Sequence, residues 1–142
     1  MEKQIKVFLD SNLLFSIAYT GKDSSRSYLI YEIQELEMLK VFVSNLVCEE
    51  ALFNIRKKKP DAEQFLSRLI RRSTILEDIS SDFKYAGMLK LPLNDRIILS
   101  TAVHHKIDFF LTGNHRDFKN FYHKRIFGTL IIKPADFLNK NY

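Results

Sequence analysis

Residues 91–118 read LPLNDRIILSTAVHHKIDFFLTGNHRDF, and the order of structures this stretch demands limits the fold. Pro92-Leu93-Asn94-Asp95 is a helix start, because proline is pre-shaped for a first helical turn and an acid suits its N-terminus. The helix runs to about His105. Asp108-Phe109-Phe110-Leu111-Thr112 is then a strand too apolar to have a wet face, and Gly113 supplies the turn after it. A helix feeding a doubly buried strand is the repeating unit of a parallel sheet.

The same alternation extends in both directions. Ile5-Lys6-Val7-Phe8-Leu9-Asp10 is a short β-rich run ending at an acid, and Asn12 to Ala18 opens a helix. Gly21 to Ser25 is a loop. From Ser27 to Leu39, Leu29, Ile30, Ile33, Leu36 and Met38 recur at roughly helical spacing. Lys40 to Ser44 is a second strand, followed by a helix from Leu46 to about Lys58 that Pro60 closes. Asp61 caps a further helix to about Arg71, Thr74-Ile75-Leu76 is a weaker strand, and a short helix is expected around Ser81 to Leu89. Thr129 to Ile132 is the final strand, and Pro134 opens a last helical turn, Ala135 to Leu138. Strands and helices in alternation give a three-layer α/β/α sandwich with a mainly parallel central sheet.

The composition agrees with one such domain, residues 1–142. The chain has 142 residues, 46% hydrophobic, with twelve Phe and six Tyr. That is enough for one core and too little for two. No apolar run is long enough for a bilayer and residues 1–10 lack a secretory signal, so no membrane association and a cytoplasmic location are expected. The single cysteine, Cys48, fits a reducing compartment and reads as a small buried filler. Scattered His and one Cys offer no zinc spacing. A net charge of +5 is compatible with nucleic acid without requiring it.

Open parallel sheets gather ligands beyond the carboxyl ends of their strands. Asp10 follows the first strand, Glu49 and Glu50 open the helix after the second, Asn114 follows the Phe109–Thr112 strand, and Asp95 stands at a helix N-terminus. Singly, each has an ordinary explanation: Asp95 as a cap, and Glu49 and Glu50 as first-turn acids favoured by the helix dipole. Together they are another matter. Two carboxylates about 4 Å apart repel by roughly 4 kcal/mol at an effective dielectric near 20, so such a group holds a shared proton or a cation. Hard oxygen donors select Mg2+ or Mn2+, which activate water and shield a phosphate.

Read in order, these segments resemble the PIN domain family over nearly the whole chain. VFLDSNLLFS (7–16) resembles its opening strand, with Asp10 as a metal ligand and Asn12 as a small polar neighbour. VSNLVCEEALFNI (43–55) resembles its second motif, in which Glu50 is the match and Glu49 the alternative. Residues 91–118 carry the third acid, Asp95, and the fourth position. IIKPADFLN (131–139) resembles the closing strand and turn. The fourth position is usually Asp and is Asn114 here; Asp117 either compensates as a further ligand or is a surface acid paired with Arg116 or Lys119. The resemblance implies a metal-dependent endoribonuclease of single-stranded RNA leaving 5′-phosphate and 3′-hydroxyl ends. Asp10, Glu50, Asp95 and Asp117 would bind Mg2+ or Mn2+, with Asn114 assisting. Ser11 and Thr112 would hydrogen-bond a ligand carboxylate or a phosphate, although the backbone could equally satisfy Thr112. Many members are homodimeric toxins inhibited by an antitoxin protein.

Arg96 and Lys119 are candidate substrate contacts, as are Lys124 and Arg125. The run Arg56-Lys57-Lys58-Lys59 reads more simply as cations at a helix C-terminus. His115 is the histidine nearest the expected site. Phe118, Phe121 and Tyr122 read as packing rather than base-stacking groups. Asn114 also motivates an alternative, a module that binds RNA or protein with weak or no cleavage. A phosphatase with Asp10 as nucleophile fits poorly, because Asn12 stands where a second Asp is wanted.

Overall fold

The computed structural model describes residues 4–79 and 90–141. Six strands, β1 (Ile5–Leu9), β2 (Leu39–Ser44), β3 (Thr74–Leu76), β4 (Phe109–Leu111), β5 (Arg125–Ile126) and β6 (Thr129–Ile132), form one sheet in the order β3-β2-β1-β4-β6-β5. All neighbours are parallel except β5 and β6. The flanking helices are α1 (Ser11–Thr20), α2 (Leu29–Glu35), α3 (Asn45–Lys58), α4 (Glu63–Arg71), α5 (Leu93–His104), α6 (His115–Phe118) and α7 (Pro134–Asn141). The expected α/β class and mainly parallel sheet are both present. Among the described residues no helix is long and apolar enough to cross a membrane.

The strand order locates the site. From β1 the chain steps outward to β2 and β3, then returns to place β4 on the other side of β1. Right-handed crossovers in opposite directions put their helices on opposite faces, and a crevice opens where the direction reverses. That point lies between β1 and β4, paired Val7 with Phe109, Phe8 with Phe110 and Leu9 with Leu111. Val7, Phe8 and Leu9 are wholly buried, as a central parallel strand requires. Phe8 stacks on Phe110 with centroids 5.5 Å apart, and Phe110 meets Phe118, also at 5.5 Å.

Several local expectations are corrected. The helix expected to reach Leu39 stops at Glu35, and Glu37 takes a left-handed φ of 60° so that Leu39 can begin β2 opposite Ile5. Leu36 and Met38, whose spacing suggested a longer helix, are 70% and 50% exposed. Asp61 caps nothing: it lies in a 3-10 turn, Pro60–Ala62, and α4 starts without a side-chain cap. α6 and β5 were not expected, being too short for any periodicity. The closing helix is two turns long rather than one. The helix expected around Ser81 to Leu89 lies outside the described residues.

Candidate active site

Asp10 leaves β1 at the sheet's carboxyl edge and caps α1. Its Oδ1 accepts a hydrogen bond from the Ser11 amide at 2.8 Å, and its Oδ2 accepts one from the Thr112 hydroxyl at 2.8 Å. The Thr112 Oγ1 also accepts the Asn114 amide at 3.0 Å, so Thr112 is engaged by the acid rather than by strand backbone alone. Asn12 ties the two strand ends together, its Oδ1 accepting the Gly113 amide at 3.4 Å. Gly113 makes this turn without a left-handed φ.

Glu50 arrives on α3. Ser44 caps that helix through the Val47 amide, and Asp78 accepts the Leu46 amide at 2.7 Å. Because α3 begins at Asn45, Glu49 and Glu50 lie in its second turn, not its first. The helix dipole therefore does not explain them. Glu50 Oε2 accepts a hydrogen bond from the Asn94 amide group at 2.9 Å. Asp95 sits in the first turn of α5, but that helix has no side-chain cap, so the capping role expected of a lone acid here is not what Asp95 performs. Its carboxyl interacts instead with that of Asp117, close enough for the two to affect each other's ionisation. Both ends of the Asn114 amide engage Asp117: Oδ1 accepts its backbone N–H at 3.3 Å and Nδ2 donates to Oδ2 at 2.9 Å.

The charges of these groups reach one another. Burial, helped by Glu50 and Asp117 and opposed by the bonds from Thr112 and Ser11, pushes the Asp10 carboxyl up to about 6. Burial and the charges of Asp10, Asp117 and Glu50 push Asp95 up to about 7. The Asn114 amide holds Asp117 below the usual carboxylate range. Glu49 is absent from the charges acting on either Asp10 or Asp95; Glu50 acts on both. A proton retained on Asp95 relieves part of this repulsion, as expected of carboxylates at close range.

Among the described residues no three acidic, histidine or cysteine side chains are already drawn around one metal-sized point. The donor set nevertheless suits a hard cation: carboxylate oxygens that hold an extra proton and that amides and hydroxyls orient. Ligation would require Asp95 to give up its proton. Asp10, Glu50, Asp95 and Asp117 are the residues that could hold such a cation, while both ends of the Asn114 amide are already taken up by Asp117.

Glu50, Asp95 and Asp117 line a cleft of about 810 Å³, with Asp10 buried behind its wall; Ser11, Glu49, Phe53, Asn54, Asn94 and Arg116 also line it. A PIN domain family model matches residues 7–124. This chain belongs to the PIN domain family. No curated protein matches the sequence. Among solved structures, a chain in the crystal structure of VapBC2 from Rickettsia felis bound to a DNA fragment from their promoter is 20% identical, with a TM-score of 0.62. That match covers 89% of this chain and 97% of the other. A chain of a toxin-antitoxin complex from Klebsiella pneumoniae is 24% identical with a TM-score of 0.60, covering 90% and 97%.

Within this PIN fold, none of the substrate contacts expected from sequence, Arg96, Lys119, Lys124 and Arg125, lines the cleft. Arg96 and Lys119 are not among its walls, whereas Arg116 is, 3.4 Å from Asp117. Asn94 was missed because its partner Glu50 lies 44 residues away, and no local pattern encodes that contact. Arg125 is turned to the Gly128 carbonyl. The basic run is largely occupied: Arg56 pairs with Glu63, Lys58 lies over Phe15, and Lys59 lies over Tyr19 and donates to its carbonyl. Burial pushes the Cys48 thiol up to about 11, too high for a reactive thiolate.

Proposed function

We propose that this PIN domain is a Mg2+- or Mn2+-dependent endoribonuclease of single-stranded RNA and the toxin of a toxin–antitoxin pair. What supports the reading is that Glu50, Asp95 and Asp117 line one cleft with Asp10 buried beside it, and that burial and their charges raise the ionisation of Asp10 and Asp95 well above the ordinary range. When bound, a divalent cation would supply an activated water and shield the phosphate's charge, since carboxylates alone would repel it.

The chain's own residues do the positioning. Ser11 and Thr112 fix both oxygens of Asp10, Asn94 holds Glu50, and Asn114 holds Asp117. Arg116, exposed on the cleft wall, can meet a phosphate oxygen. The reaction is hydrolysis of a P–O bond to leave 5′-phosphate and 3′-hydroxyl ends. Structural similarity to chains of toxin–antitoxin complexes supports an antitoxin protein as partner. A homodimer, one domain across residues 1–142 and action in the cytoplasm belong to the same reading.

The test is cleavage of an end-labelled single-stranded RNA by the purified protein in Mn2+, in chelator, and by Asp10→Asn. Removal of one ligand from such a site is expected to lower the rate by at least about a hundredfold. Equal cleavage by both proteins, or cleavage in chelator, would assign the activity to a contaminant. RNA binding without cleavage would favour the binding-module alternative.

A further inference from the structure

Beside the acidic cleft lies a second hollow, of about 460 Å³, whose walls include Gly113, His115, Tyr122 and Lys133. It is joined to the site through one short relay. The Tyr122 hydroxyl donates to the Thr112 carbonyl at 3.1 Å, and the Thr112 hydroxyl donates to Asp10. The rings of His115 and Tyr122 are 6.1 Å apart and within 26° of parallel, and His115 is exposed. The Lys133 ammonium stands 5.2 Å from the Tyr122 ring centroid and, among the described residues, forms no ion pair. Asp136, whose charge bears on Tyr122, is turned toward His123 at 3.3 Å.

We propose that this hollow is a nucleotide subsite, in which a base of single-stranded RNA extends the His115–Tyr122 stack and Lys133 meets a backbone phosphate. The inference rests on the RNA reading of the neighbouring cleft. Its volume suits one nucleotide rather than a protein segment. Aromatic faces beside a cation are the arrangement that holds single strands with little sequence preference. A strand whose scissile phosphate lies at the acids needs cationic and aromatic support on one side of them, because the acids themselves repel its backbone. Packing alone, the role first assigned to Tyr122, leaves the exposed His115 and Lys133 without a purpose.

The experiment measures fluorescence anisotropy of a labelled single-stranded RNA on the metal-free protein over a salt series. Alongside it runs hydrolysis in Mn2+ of methyl p-nitrophenyl phosphate, which carries no base. His115→Ala is expected to weaken RNA binding about tenfold and His115→Phe to restore it, since a stacked base contributes on that scale. Lys133→Ala should reduce the slope of log K against log salt by about 0.7, one single-strand phosphate contact. Small-ester hydrolysis should stay unchanged in all three. Wild-type protein that fails to bind RNA, or binding within twofold of wild type in both alanine variants, would overturn the subsite. So would an equal fall in small-ester hydrolysis. Binding that the variants weaken, in a wild-type protein that cleaves nothing, would uphold the subsite while sinking the nuclease reading.

Discussion

A carboxyl group that is 2% exposed, as Asp10 is, prefers to keep its proton. Asp10 ionises at about 6 and Asp95 at about 7 in the folded chain, against 3.8 for an unperturbed Asp. The folded protein therefore binds more protons than the unfolded one across this range. The stability these groups contribute is fully present below about 3.8 and is lost as pH rises through 6 and 7. In chelator, the Tm is expected to fall between pH 5 and 8, with a shallower fall in Asp10→Asn. Mn2+, which competes with protons for the same oxygens, should raise Tm more at pH 8 than at pH 5. A chelator-treated protein whose Tm climbs steadily over that range, equally in both forms, would contradict this account.

At the scale of elements, the site depends on where α3 begins. Ser44 is fully buried, and its Oγ accepts the Val47 amide at 3.3 Å, which sets the register that turns Glu50 rather than Glu49 toward the other acids. Ser44→Ala is expected to cost about 1 kcal/mol, read as a lower urea midpoint at unchanged m. It should also weaken Mn2+ binding, because the first turn would then rely on Asp78 at the Leu46 amide. An unchanged midpoint would show that Asp78 suffices. By contrast, the Arg56–Glu63 pair, which joins the end of α3 to the start of α4, is solvent-exposed and contributes little.

For the whole molecule, the crevice is a consequence of strand order, so its rigidity is that of the sheet beneath it. Phe110 lies between Phe8 and Phe118, linking β1, β4 and α6 directly under Asp10 and Thr112. Phe110→Ala is expected to cost about 3–5 kcal/mol in thermal or urea unfolding. Phe53→Ala, at a residue 67% exposed, should fall within about 0.5 kcal/mol of wild type. A small loss at Phe110 would mean that the sheet repacks and that the crevice is not built on this stack.

The strands that carry the site were legible in the sequence, Ile5 to Leu9 as a short β-rich run ending at an acid and Phe109-Phe110-Leu111 as a run too apolar to have a wet face. The acids at their ends were legible as well, through motif order. Local pattern could not supply the contacts between distant residues: Glu50 with Asn94, Asp95 with Asp117, Thr112 with Asp10. Nor could it end α2 at Glu35, where pairing of Leu39 with Ile5 overrides helical spacing. Periodicity records which face of an element is buried, and that is a property of neighbouring residues. Which carboxylate meets which partner is decided only when strand order brings remote chain segments to one edge, where burial and repulsion set their charge.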